Sequence, residues 1–261
     1  MTYRLADKFT SYRNRITVVG CGGTGGFVAE GICRLILGQP GKRLVLVDYD
    51  RVEERNLGRQ NFTREDLGLF KARALAQRLA RKYGLPVGYS LGPFGARSSL
   101  RDCALVVGCV DNPLARAAIA EAVDPGLWWI DAGNGRDFGQ VLVGNAPLER
   151  LGGAFDEEAG LCYALPLPTL VRPELLAPEP PRGDCAEAVE TREQSPTINQ
   201  MVAALVVDMV GKILEGRLAW WQAYLDLESG SLHTISPTPE AVSRLTVIRA
   251  SSLIARKGER Q

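Results

Sequence analysis

The chain has 261 residues, 46% of them hydrophobic, with 31 Lys and Arg set against 30 Asp and Glu. That length can bury the core of one large α/β domain, and a net charge of +1 argues against a general nucleic-acid binder. No apolar leader follows Met1, and the six cysteines form no CxxC pair. The expectation is a cytoplasmic protein with reduced thiols and no structural zinc.

In chain order, Arg15 to Gly20 is a short apolar run rich in β-branched residues and reads as a strand. A helix follows from about Thr24 to Leu37, then a strand over Lys42 to Asp48 and a helix over Glu65 to Tyr83. A weaker strand, Val87 to Leu91, precedes the buried strand Cys103 to Cys109, a helix from Pro113 to Val123 and a strand from Leu127 to Asp131. Strand and helix alternate, which implies a Rossmann-like, doubly wound, mostly parallel sheet with helices on both faces. Gly139 to Asn145 adds a further strand. Residues 146 to 196, rich in Pro, Gly and acidic side chains, read as a long flexible crossover loop.

The most apolar stretch, Ile198 to Leu214, carries Asn199, Gln200, Asp208 and Lys212. It reads as a buried helix, starting near Thr197, and not as a membrane span. Ala223 to Leu227 and Leu232 to Ile235 flank Glu228 to Ser231 as a C-terminal antiparallel hairpin. Residues 1 to 240 thus form one domain, and 241 to 261 a tail whose basic end frays from Arg249 onward.

Gly20 to Gly26 (GCGGTGG) lies directly after a strand and opens a helix. Glycines there let backbone approach a ligand, and helix N-terminal amides stabilise an anion. Gly20, Gly22 and Gly25 match the dinucleotide spacing G-x-G-x-x-G, and Asp48, at the end of the next strand, suits a ribose-hydroxyl acceptor. Both features also fit a nicotinamide-dependent oxidoreductase. Asp48 to Gln60 (DYDRVEERNLGRQ) separates the readings, because an Asn and an Arg here suit phosphate oxygens better than a nicotinamide. Lys71, at the head of a helix, offers a second cation. Asp111 and Asn112 follow a buried strand, where such sheets bind ligands, although either one could simply cap the next helix.

These segments resemble the ThiF/MoeB/ubiquitin-activating family of adenylyltransferases. GCGGTGG is similar to its GxGGxG, DYDRVEERNLGRQ to its DxDxVxxxNLxRQ, GLFKA at Gly68 to Ala72 to its GxxKA, and VDNPLAR at Val110 to Arg116 to its (T/V)DNxxAR. The resemblance implies ATP-dependent adenylation of the C-terminal carboxylate of a small ubiquitin-like, β-grasp protein ending in glycine. It places Gly20, Gly22, Gly23 and Gly25 under the nucleotide and Asp48, with Asp50 beside it, at the ribose. Asn56, Arg59, Gln60 and Lys71 would hold the phosphates, with Arg59 and Lys71 as the catalytic cations. Asp111, flanked by Asn112, would hold Mg²⁺. The glycine loop and the lack of zinc cysteines resemble in particular the ThiF-like proteins of PRTRC gene systems.

Some relatives pass the activated carrier to a cysteine. Cys185, in the crossover loop, resembles that position, and Cys162 is the other loop candidate. Acidic neighbours Asp184 and Glu187 would raise, not lower, the Cys185 thiol pKa. Arg4 and Arg13 precede the first strand and Arg15 begins it; none is assigned as the family's trans-acting arginine, so a homodimer follows from family habit alone. His233 reads as a surface or packed residue. Trp128, Trp129, Trp220 and Trp221 read as packing residues, the last two also as a possible docking surface. The rival readings are an NAD(P)-binding oxidoreductase and a non-catalytic scaffold subunit; no nucleic-acid or membrane partner is expected.

Overall fold

A computed structural model describes residues 2–95, 100–177 and 196–255. The strands are β1 (Arg4–Leu5), β2 (Arg15–Val19), β3 (Arg43–Val47), β4 (Val87–Ser90), β5 (Cys103–Gly108), β6 (Trp128–Asn134), β7 (Phe138–Gly144), β8 (Phe155–Asp156), β9 (Leu161–Cys162), β10 (Gln222–Asp226) and β11 (Ser231–Ile235). The helices are α1 (Gly23–Ile36), α2 (Lys71–Tyr83), α3 (Pro113–Ala122), α4 (Pro168–Val171), α5 (Pro196–Leu214), α6 (Pro239–Leu245) and α7 (Ala250–Leu253).

One eight-stranded sheet runs β11-β10-β7-β6-β5-β2-β3-β4. The pairings from β6 through β4 are parallel, whereas β7, β10 and β11 join antiparallel. Because helices cover both faces, the central strands are apolar on consecutive residues. Ile16, Val18, Leu44, Leu46, Leu105 and Val107 point to the layer of α1, α2 and α5. Val19, Val47, Val106 and Trp129 point to the opposite layer, where Ile119 of α3 packs.

The helix α5 is apolar and long enough to cross a membrane by length and composition alone. In the fold, Ile198, Val202, Val206, Met209, Val210 and Ile213 are all buried in the main core. Trp128, Trp129 and Trp221 are likewise fully buried, which excludes Trp221 from a docking surface.

Several expectations change. The helix read from Glu65 is a short 3-10 turn at Arg64–Asp66, and α2 begins only at Lys71. Gly68 interrupts it at φ +78°, and the chain there pairs back on Val52, whose N–H donates to Leu69 O while its carbonyl accepts from Gly68 N–H. The first part of the crossover segment, 146–177, is built rather than open. β9 pairs with β1 and β8 in a small second sheet, and α4 follows. The C-terminal segment does not fray at Arg249: Leu253 is fully buried, and Ala255 N–H donates to Phe155 O. Pro178 to Pro181 lie outside the described residues.

Candidate active site

The site lies at the carboxyl ends of β2, β3 and β5, where an open parallel sheet exposes its strand termini. The turn after β2 crosses close to the segment after β5. Cys109 N–H donates to Val19 O and Gly20 N–H donates to Val47 O. A Cβ at Gly25 would overlap the Gly20 carbonyl oxygen, so only glycine lets α1 start this tightly against the strand. Gly25→Ala is therefore expected to cost at least ~3 kcal/mol of stability. Chemical denaturation checks this, and an unchanged midpoint would contradict the packing described.

Asp48, after β3, holds this turn. Its two carboxylate oxygens accept from the backbone N–H of Cys21 at 2.6 Å and of Asp50 at 2.7 Å. Burial raises its pKa, against the two backbone hydrogen bonds and the Lys71 charge. Each oxygen keeps a lone pair for a further donor, as a ribose hydroxyl would be.

The loop between β3 and α2 brings the phosphate candidates together. Lys71 is 8% exposed, and its ammonium lies 3.0 Å from the half-exposed Asp50 carboxylate. Its position at the head of α2 is set by the Lys71 N–H bond to Asp50 O at 2.8 Å. Asn56 is buried and closes a short capping turn, its carboxamide oxygen accepting from Glu53 N–H. That turn then places half-buried Arg59 and buried Gln60, whose N–H groups both donate to Asn56 O.

The next residue, Asn61, anchors this loop to α1 by donating to Glu30, while Arg78 donates to Asn61 O and pairs with Asp66. Burial alone would raise the Glu30 carboxyl, yet hydrogen bonds from Lys82, Asn61 and Tyr83 hold it down at about 2.

On the far side, Asp111 is exposed at the end of β5. The capping alternative belongs to Asn112, which accepts from Ala115 N–H at 2.8 Å. Asp111 is thereby left facing outward at the strand end.

Gln60 supplies the most informative observation. Its carboxamide lies about 4 Å from where a Gly22 Cβ would be, and its Oε1 is buried without a hydrogen-bond donor among the described residues. A buried acceptor without a donor costs free energy, and beside the glycine turn this one is open to a hydroxyl or amino donor of a ligand. The glycine cradle, the Asp48 carboxylate and the Lys71 and Arg59 cations fit a nucleotide with several phosphates. Mg²⁺ needs only one or two protein carboxylates beside phosphate oxygens, and Asp111 fits that role.

Two features of the site were not foreseen. Arg116 of α3, 7% exposed, pairs with both oxygens of fully buried Asp131 of β6 at 3.3 Å. Burial pushes Asp131 up to about 6, and only Arg116 holds it from rising further. Arg116 lay within a recognised motif, but its partner is visible only in three dimensions. A second cluster joins Thr24, Asn134 and Asn199. Its one sequence signal was a polar Asn near the start of an apolar helix.

Cys162 is not an accessible nucleophile. It is fully buried, its Sγ lies 3.3 Å from Ala164 O, and burial raises its pKa. Cys185 lies outside the described residues. His233 is exposed on β11, remote from the glycine turn in the strand order.

A family model described as the ThiF family matches residues 7–252. The chain belongs to the ThiF family. Within it, this chain is 27% identical over 261 residues to ubiquitin-like modifier-activating enzyme 5 of Drosophila sechellia, covering 92% of this chain and 60% of that protein. It is 33% identical over 152 residues to the enzyme of the same name from Oryza sativa subsp. japonica, covering 51% of this chain and 35% of that protein. This ThiF-family chain thus spans less than two thirds of the length of either relative. Among solved structures, E. coli MccB with ATP shares the fold, with a TM-score of 0.57 and 18% identity over 87% of this chain and 64% of that one.

Proposed function

We propose that this chain binds ATP over the Gly20–Gly25 turn and adenylates the C-terminal carboxylate of a small ubiquitin-like protein. The observation that carries the reading is the glycine turn that opens α1, held by the Asp48 carboxylate through Cys21 N–H, with the Lys71 charge acting on that same carboxylate.

In this reading the ribose hydroxyls donate to Asp48, and the α1 amides with Asn56, Arg59 and Lys71 hold the phosphates. Mg²⁺, held by Asp111, would neutralise charge on the departing pyrophosphate. A carboxylate oxygen of the carrier attacks the α-phosphorus, the bond to the bridging oxygen breaks, and pyrophosphate leaves with the electron pair. The side chains contribute positioning and charge neutralisation, and no general base is required because the nucleophile is already ionised. Support comes from family membership, from relatives named modifier-activating enzymes, and from a fold shared with a protein solved with ATP. Cys185 is the candidate for any later thioester or persulfide step. The oxidoreductase reading leaves Asn56, Arg59, Lys71 and Asp111 without a role.

The test is ATP–pyrophosphate exchange with candidate β-grasp proteins ending in glycine. Exchange is expected with a free C-terminal carboxylate and is lost when that terminus is amidated. Exchange indifferent to amidation would refute a carrier-carboxylate substrate.

A further inference from the structure

Behind the glycine turn, three polar side chains tie together elements distant in sequence. Asn199, near the start of α5, is fully buried. Its Oδ1 accepts from Thr24 Oγ1 of α1 at 3.2 Å and from Asn134 Nδ2 of β6 at 3.2 Å. The Thr24 hydroxyl also lies 3.1 Å from Asn134 Oδ1. The Asn199 carboxamide lies flat on Gly23: a Cβ there would stand 2.6 Å from its Cγ, Nδ2 and Oδ1.

Packing alone does not call for this residue. Its neighbours on α5, Ile198, Val202 and Val206, are apolar and buried, and a buried carboxamide is costly unless hydrogen-bonded. An aliphatic side chain would fill the same layer with no such requirement. What a carboxamide adds is an acceptor for Thr24 and Asn134 that carries no net charge. An aspartate would accept the same hydrogen bonds but would set a negative charge against the first turn of α1, where the helix N-terminus favours anions.

We propose that Asn199 is a positioning residue for the nucleotide phosphates. It fixes the turn Gly22–Thr24 against the end of β6 and the start of α5, and its neutrality keeps that turn favourable to negative charge. The inference rests on the reading that ATP occupies the glycine turn.

The test measures ATP, ADP and adenosine binding by calorimetry with Mg²⁺ for wild type, Asn199→Asp and Asn199→Ala, with thermal melting in parallel. Asn199→Asp is expected to keep adenosine affinity within about twofold. Its ATP affinity is expected to fall by about tenfold or more, ADP lying between. Equal weakening of ATP and adenosine, or no weakening of either, would overturn the proposal.

If the aspartate variant does not fold, Gly23→Ala supplies the second arm. Alone it is expected to melt lower and lose ATP binding, and in the double variant with Asn199→Ala to regain part of both, because the obstructing carboxamide is gone. No regain would overturn the contact. Wild-type protein that binds adenosine with no preference for ATP would sink the nucleotide reading and this inference together. Wild type that prefers ATP, with variants that keep the same preference, would sink the inference alone.

Discussion

Lys71→Ala is expected to lower ATP–pyrophosphate exchange by about two orders of magnitude while leaving the fold largely intact. The ammonium is nearly buried at the head of α2; among the described residues it pairs with half-exposed Asp50, and its charge also acts on Asp48. Removing the lysine leaves Asp50 to water, which solvates it at little cost, so stability loses at most about 1 kcal/mol from the pair. The rate loses a cation held beside Asp50 and Asp48 at the glycine turn, and charge that develops on the leaving phosphates goes unmet. Exchange kinetics beside a thermal melt check both halves. A variant that keeps wild-type exchange would place the phosphates elsewhere, and one that unfolds would make Lys71 structural.

The second large effect concerns stability. Arg116→Ala is expected to cost about 3–5 kcal/mol near neutral pH, because it strands a fully buried carboxylate. The sign of its pH dependence follows from Asp131, whose folded value of about 6 lies above its ordinary 3.8. A group raised on folding contributes stability below its unfolded pKa and loses it as pH rises through the folded one. Without Arg116 the Asp131 carboxyl rises further, so the variant's deficit should be largest above pH 7 and shrink towards pH 5. Pairing Arg116→Met with Asp131→Leu is expected to recover most of the loss, since neither charge is then left alone. Denaturant midpoints across that pH range check it. A deficit that does not change with pH would mean that Arg116 acts through packing rather than charge.

The strands and helices that build the sheet were legible because each is a buried β-branched run or an amphipathic segment bounded by glycine or proline. β2, β3, β5 and α3 lie within about a residue of where the pattern puts them. The family motifs were legible for a related reason: each is contiguous and sits at a strand end or a helix head. Pattern failed where structure depends on pairing between distant segments. Arg64 to Phe70 has helix-forming residues, yet pairing of Val52 with Gly68 and Leu69 overrides them. β1 has two residues, too few to show a period, and forms only because β9 lies beside it.

The same limit applied within the site. Asp48, Lys71 and Asp111 drew notice by lying at strand ends and a helix head, and Gln60 entered through the family motif. The Arg116–Asp131 pair and the Asn199 latch join residues 15 and 175 positions apart, and no local pattern carries those pairings. Asn112 was legible in kind but ambiguous in role, and the hydrogen bond to Ala115 assigns it to the cap.

The measurement that bears most directly on the account is calorimetric titration of ATP with Mg²⁺, beside NADH, on wild type and on Asp111→Ala. Asp111 is exposed at the end of β5, so its removal should leave the fold in place. The expected result is Mg²⁺-dependent ATP binding, weakened about tenfold or more in the variant, with no binding of NADH. Binding of NADH with no response to ATP would contradict the adenylating site and return the glycine turn to a nicotinamide dinucleotide.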